Sequence, residues 1–298
     1  MKIASIDIGS NSILMQILEN NKIIIDKQGI ARLSKGLNIT NIIADATIIR
    51  AEEIMRQYSD ICDIFDVDVV IAVGTSALRE AKNSDEVIKR LEQCFNKKCK
   101  IEIISGEKEA EYSFIGAISG MNNIDTFVVL DVGGGSTELI SGNKNKINYI
   151  ISIPVGVVKL TEQFAIKQPL IYTNEIRDFI REQFAIIDVN KCIGDVIAVS
   201  GTPTAIAGIT LGINEYNSDK INNFVFTKDI LHRTSALIYS CSIEELVNKY
   251  YIEKERADVL SAGAIIIEEV INILNRNKFM VNVNGLRYGA AISYQLKI

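Results

Sequence analysis

One short pattern occurs twice in the chain and constrains the fold more than any other feature. Ile6-Asp7-Ile8-Gly9-Ser10-Asn11-Ser12 aligns without gaps on Leu130-Asp131-Val132-Gly133-Gly134-Gly135-Ser136, 124 residues further along. Both copies read apolar-Asp-apolar-Gly-x-x-Ser. The first follows the apolar run Lys2 to Asp7 and precedes Ile13 to Leu18, an Asn-rich turn, and Lys22 to Ile25. The second follows Thr126 to Asp131 and precedes Thr137 to Ser141, another Asn-containing turn, and Ile147 to Ile153. Short apolar runs bounded by Gly, Ser and Asn are strands and turns. A single copy is an ordinary hairpin turn. Two copies in the same context predict a duplicated domain, with two equivalent loops facing each other across a cleft.

Composition narrows the class. Of 298 residues, 48% are hydrophobic and 23% charged, a globular balance that excludes general disorder. At roughly 100–200 residues per domain, two domains are expected. The apolar run Ala262 to Ile267 stops at Glu268-Glu269, far short of the roughly 18 residues of a membrane span. The N-terminus, with Lys2 followed by Asp7, does not read as a secretory signal. Cys62, Cys94, Cys99, Cys192 and Cys241 are odd in number, scattered and without a Cys-x-x-Cys pair, so free thiols in a cytoplasmic protein are expected. The single His232 excludes multi-histidine metal chemistry. A net charge of -5 gives no overall attraction for nucleic acid or anionic lipid, so a polyanionic ligand needs a local positive site.

Between the repeats, helical spacing runs from Thr40 to Phe65, and Val67 to Val73 reads as a buried strand. Ala77 to about Cys94 reads as one helix, Lys100 to Ile104 as a strand, and Ser105-Gly106 opens a helix to about Gly120. The pattern resets at Met121-Asn122-Asn123-Ile124-Asp125, which places the domains at residues 1–123 and 124–298. Beyond the second repeat come a helix near Thr173–Phe184, a strand Asp195 to Val199, and helices near Lys228–Tyr239, Ile243–Tyr250, Glu255–Asn275 and Gly289–Leu296, with a strand Phe279–Val283. Strands alternating with helices indicate an α/β fold.

Several segments are suited to phosphate chemistry. Glycine lets backbone N–H groups approach an anion, and the Ser hydroxyls add donors, so Gly9, Ser10, Asn11, Ser12 and Gly133, Gly134, Gly135, Ser136 are candidate phosphate loops. Asp7 and Asp131, at the strand ends, can hold a divalent cation. Val73-Gly74-Thr75-Ser76 ends a strand and caps a helix, and Arg79 one turn on makes an anion site with Ser76. The alternative for Arg79 is an ion pair with a nearby carboxylate. Glu109, in the first turn of its helix, either complements the helix dipole or deprotonates a water. Glu138 is the second carboxylate candidate; alternation puts it on the face of Ser136. The residues alone do not choose between them. Ser200-Gly201-Thr202 is a third loop after a buried strand, with Gly201 and Thr202 as anion ligands. Arg287 lies between glycines before the last helix, and His232 reads as an ordinary surface or core residue.

In order along the chain, these segments resemble the exopolyphosphatase / guanosine pentaphosphate phosphatase (Ppx/GppA) family of the actin-like ATPase superfamily. The resemblance runs through Asp7–Ser12, Arg32-Leu33 with Gly36-Leu37, Thr75–Ala81 with Asn83, and Ile104–Ala110. It continues with Asp131–Glu138, Gly156–Glu162, Gly201-Thr202 with Thr204, Arg256-Ala257-Asp258 with Ala262-Gly263, and Gly285-Leu286-Arg287 with Gly289. It implies two RNase H-like (actin-like ATPase) domains with a cleft between them, the last helix returning to the first domain. The implied reaction is hydrolysis of a terminal phosphoanhydride in polyphosphate or guanosine pentaphosphate. The implied roles are Glu109 as base, Glu138 in water positioning, Arg79 on a phosphate, Asp131 and Asp7 on Mg²⁺ or Mn²⁺, and Arg287 on a nucleotide or second anion.

Ser200 replaces the first Gly of the usual Gly-Gly-Thr loop, Ser261 a common Pro, and Tyr288 the usual Glu. Leu14 stands where some members carry Arg, which argues against guanine-nucleotide binding through that position. Longer members carry further helical domains, and their absence from this sequence points toward short chains or a nucleotide. The expected partner is a small polyanionic substrate, not nucleic acid or membrane, with a homodimer left open. Two other readings stand beside hydrolysis: an actin-like kinase or ATPase, and a catalytically weak sensor of phosphorylated nucleotides or polyphosphate.

Overall fold

The computed structural model describes residues 1–121 and 124–296. Two compact units are present: Met1–Gly116 with Leu286–Ile298, and Ala117–Gly285. Asn122 and Asn123, at the expected boundary, lie outside the described residues.

The apolar runs flanking each repeat form the strands. In the first unit, β1 (Lys2–Ile8), β2 (Ser12–Glu19), β3 (Lys22–Ile30), β4 (Val69–Gly74) and β5 (Ile101–Ile103) make one sheet in the order β3-β2-β1-β4-β5. In the second, β6 (Phe127–Val132), β7 (Thr137–Gly142), β8 (Ile147–Ile153), β9 (Asp195–Val199), β10 (Val225–Thr227) and β11 (Lys278–Val281) order as β10-β11-β9-β6-β7-β8. The second unit's β8-β7-β6-β9-β11 repeats the first unit's order and strand directions, with two antiparallel hairpin pairs and two parallel ones. Hairpins need only the short Asn-containing turns, whereas the parallel pairs need helical crossovers. The duplication read from the heptapeptide is therefore a duplication of sheet topology.

The first unit's helices are α1 (Leu37–Thr40), α2 (Asp45–Ile64), α3 (Ser76–Glu80), α4 (Ser84–Glu92) and α5 (Gly106–Ile118). The second unit holds α6 (Val157–Gln163), α7 (Asn174–Phe184), α8 (Gly201–Leu211), α9 (Ser218–Ile221), α10 (Lys228–Ser240), α11 (Ile243–Asn248), α12 (Lys254–Ala257) and α13 (Leu260–Ile273). The last helix, α14 (Leu286–Gln295), belongs to the first unit. Each unit has its own core. Ile6, Met15, Met55 and Leu78 lie in the first, and Leu130, Phe184, Phe226 and Ile266 in the second. No helix among the described residues is long and apolar enough to cross a membrane. All five cysteines are free and buried, and burial pushes the Cys62 and Cys99 thiols up to about 12.

The structure corrects two expected helices at one residue. The segment from Thr40 is interrupted by Asn41 in left-handed conformation, and α2 starts at Asp45. The helix expected from Ala77 breaks between Glu80 and Ser84. Asn83 explains both. Its side chain accepts from Ile43 N (2.9 Å) and donates to Ile43 O (3.0 Å), satisfying the backbone of a segment that then has no need to be helical. The helix expected over Glu255–Asn275 likewise divides into α12 and α13, and α6 and β10 were not foreseen.

The carboxyl-terminal helix is held by polar as well as apolar contacts. Tyr288 packs with Ile3, Leu18 and Ala291 and donates its hydroxyl to Asn21 O at 3.0 Å. Arg287 reaches Asp26 with both terminal nitrogens, at 2.8 and 3.1 Å, and also donates to Lys27 O. A Cβ on Gly289 would lie 1.8 Å from Tyr112 O, so only glycine permits this approach to α5. Tyr288, where the family usually has Glu, thus has a packing role. Arg287→Ala is expected to lower the unfolding free energy by roughly 2 kcal/mol, because a nearly buried charge pair loses one member. An unchanged urea midpoint would refute that.

Candidate active site

In the first unit the parallel strands β1, β4 and β5 finish level with one another: Ile8 pairs with Gly74, and Gly74 with Ile103. Backbone bonds continue past the strand ends, from Thr75 N to Ile8 O (3.2 Å) and Ile104 N to Gly74 O (3.0 Å). The loops carrying Ser10, Ser76 and Glu109 therefore leave one edge, the carboxyl edge, where α/β sheets bind ligands. Gly9 N donates to Ser12 O at 3.0 Å and closes the turn after Asp7. Its outer carbonyls are tied back by Ser34 N to Ser10 O (3.0 Å) and Arg32 N to Asn11 O (2.8 Å). Arg32 adopts φ +58°, a left-handed conformation that orders this backing segment. Among the described residues the buried Ser10 and Ser34 hydroxyls have no hydrogen-bond partner, and they are donors of the kind a bound anion or water satisfies. Ser34 was not foreseen.

Arg79 and Glu109 meet. Arg79 Nη1 donates to Glu109 Oε2 at 2.9 Å and to Ile104 O at 2.8 Å, joining α3, the end of β5 and the first turn of α5. Glu109 is mostly buried, its side chain 12% exposed, and Arg79 is 27% exposed. Ser105 begins α5 by accepting from Lys108 N. The Ser76 hydroxyl is engaged by Glu80 at 2.7 Å.

The second unit's turn has the same closure, Gly133 N to Ser136 O at 3.0 Å. Its carbonyls are held from behind by the start of α6. Val157 N donates to Gly133 O (3.0 Å) and Val158 N to Gly134 O (2.9 Å). In a trans peptide the N–H opposes the C=O, so the Gly134 and Gly135 N–H groups point away from α6, as an anion nest requires. Gly156 makes this possible. A Cβ there would sit 2.5 Å from Gly134 C and O and Gly135 N. Thr137 Oγ1 donates to Val155 O at 2.6 Å and holds the same junction.

Beside this turn a polar row crosses three strands. Asp131 on β6 is directly opposite Glu138 on β7, and Glu138 is directly opposite Ser152 on β8. Direct cross-strand partners have Cβ atoms about 4.5–5.5 Å apart, so the two carboxylates are neighbours. Glu138 is 1% exposed and Asp131 9%. The corresponding row in the first unit is Asp7, Leu14 and Gln28, so only the second repeat carries a carboxylate pair.

The third loop turns on Ser200. Ser200 adopts φ +86° and ψ −178°, a region essentially reserved for glycine, and donates to Val132 O at 2.9 Å. This strained serine occupies the first-Gly position of the family loop. A Cβ on Gly201 would meet Arg256 Nη1 at 2.2 Å, and that Nη1 donates to Gly201 O at 2.7 Å. Thr202 is buried, and its γ-methyl lies against Gly263 of α13. Arg287 is engaged with Asp26, as described above. His232 is 79% exposed, 3.5 Å from Glu268.

Mg²⁺ is commonly bound by one or two carboxylates, with water and substrate phosphate completing its octahedron. Asp131, at the end of β6 beside the Gly133–Ser136 turn, fits the carboxylate part of such a donor set. Among the described residues no three His, Cys, Asp or Glu side chains gather.

The two α/β units share one sheet topology, and each has a closed glycine turn after an Asp at the end of its central strand. The sequence matches the Ppx/GppA phosphatase family over residues 11–297, and the chain belongs to that family. It is 31% identical to the bifunctional 3-dehydroquinate synthase/phosphatase of Fusobacterium nucleatum, covering 97% of this chain and 46% of that protein, so it spans about half of that relative's length. It is 27% identical to exopolyphosphatase 2 of Mycobacterium tuberculosis, covering 98% of each chain. The crystal structure of the Aquifex aeolicus Ppx/GppA family member superposes with a TM-score of 0.82 at 29% identity, covering 100% of this chain and 98% of that one.

Gly156→Ala forces a methyl into the backbone of the Gly133–Ser136 turn. It is expected to destabilise the second unit by about 1–3 kcal/mol. A melting temperature equal to that of the unchanged protein would show that the turn yields instead.

Proposed function

We propose that this phosphatase hydrolyses the terminal phosphoanhydride of inorganic polyphosphate, of guanosine pentaphosphate, or of both. Glu109 is the base. It takes a proton from a water whose oxygen attacks the terminal phosphorus; the bridging oxygen leaves with its electron pair, and orthophosphate is released. Glu138 assists in positioning that water. The phosphates are bound by the turns Gly9–Ser12 and Gly133–Ser136, by Ser76, and by Gly201 and Thr202 at the third loop.

The observation that carries this reading is the Arg79–Glu109 ion pair at 2.9 Å. A guanidinium bonded to a carboxylate fixes its orientation, which a base acting on a positioned water needs. Arg79 makes its two bonds through Nη1 alone, and among the described residues Nε and Nη2 remain for a phosphate oxygen. One residue then both orients the base and marks where the phosphate lies. Phosphoryl transfer asks little else of a protein than oriented oxygens and cancelled charge. A divalent cation, when bound, offsets phosphate charge; Asp131 in the second unit's turn, or Asp7 in the first's, is the residue proposed to hold it.

Phosphate release from short polyphosphate, long polyphosphate, guanosine pentaphosphate and ATP, with and without Mg²⁺, tests the proposal. Release is expected from polyphosphate or guanosine pentaphosphate and is expected to fall on chelation. Binding without release from any of them favours the sensor reading, and transfer only to an added acceptor favours a kinase. Glu109→Gln is expected to lower kcat by about 10²–10⁴-fold while substrate still binds. Wild-type turnover in that variant would remove Glu109 from the mechanism.

A further inference from the structure

Glu138 has a neighbour whose place in the site follows from strand register. Ser152 Oγ donates to Glu138 Oε1 at 2.6 Å, and the two residues are direct cross-strand partners on β7 and β8. We infer that Ser152 is a positioning residue for the reaction, acting through Glu138. The inference rests on the proposed role of Glu138 in the hydrolysis.

The physical case starts from the side chain itself. The terminal torsion of a glutamate is broad, so burial alone does not fix where its oxygens point. Glu138 on β7 is 1% exposed and lies directly opposite Asp131 on β6. The Ser152 bond ties one oxygen toward β8 and thereby gives the other a single position. β8 is the edge strand of its sheet, and Ser152 is exposed. The serine therefore contributes little to the core, and its packing does not require a hydroxyl. Its neighbours Ile151 and Ile153 are apolar and less exposed than Ser152.

The test compares Ser152→Ala, Ser152→Thr and Glu138→Gln, and the double variant S152A/E138Q, by steady-state phosphate release from polyphosphate of defined length and from guanosine pentaphosphate with Mg²⁺. For S152A, kcat is expected to fall about tenfold with KM within about twofold and with the melting temperature unchanged. S152T keeps the hydroxyl at an exposed site that accepts its methyl and is expected to recover most of that loss. In the E138Q background, removing Ser152 is expected to cost nothing further. If E138Q is inactive while S152A turns over like the unchanged protein, the Ser152 inference is overturned and the Glu138 reading stands. Failure of S152T to recover activity, or an additive loss in the double variant, overturns it too. Wild-type activity in E138Q removes the Glu138 reading and this inference with it, as does absence of release by the unchanged protein.

Discussion

The backbone bond that closes each glycine turn, Gly9 N to Ser12 O and Gly133 N to Ser136 O, is the constraint on which the site depends. It sets the register of the hairpin that follows. With Gly133 bonded to Ser136, Val132 pairs with Thr137 and Asp131 with Glu138. With Gly9 bonded to Ser12, Ile8 pairs with Ile13 and Asp7 with Leu14. A shift of one residue would turn every side chain to the opposite face. Two bonds of 3.0 Å thus decide which side chains share a face with each aspartate, and they make the repeats alike in backbone but unlike in charge.

The charged residues of the motifs divide by what engages them. Arg79 and Glu109 meet at the carboxyl edge of the first sheet and remain partly accessible. Arg287 holds α14 to β3 through Asp26, and Arg256 packs on the Gly201 loop. Buried arginines of this kind stabilise by satisfying local acceptors; removing one leaves a carboxylate or carbonyl without its donor. Glycines divide the same way. Gly133 belongs to a turn, whereas Gly156, Gly201 and Gly289 are required because another backbone or a guanidinium passes where a Cβ would be. Ser200 shows the opposite compromise: it holds a glycine-like conformation and ties its hydroxyl to Val132 O.

Much of the fold was legible in the sequence. Short apolar runs and Gly/Ser/Asn turns placed most strands within a residue or two, since those signals are local. The helix breaks near Asn41 and Asn83 were not legible, because they follow from a side chain bonding to a backbone 40 residues away. The candidate loops were legible as Gly/Ser clusters after apolar runs. Ser34 and Ser152 were not, because one depends on a backing segment and the other on strand register.

The sequence by itself determined the duplication, the residue types of both turns, and the carboxylates and arginines offered to a phosphate. Those are matters of composition and spacing along the chain. Tertiary structure alone decided what each of the offered groups touches. It paired Arg79 with Glu109, drew Arg287 to Asp26, set Thr202 against Gly263 and gave Glu138 its serine. The reason is physical: a hydrogen bond or ion pair depends on distance, and distance between residues remote in sequence is set only when the strands pair and the helices pack.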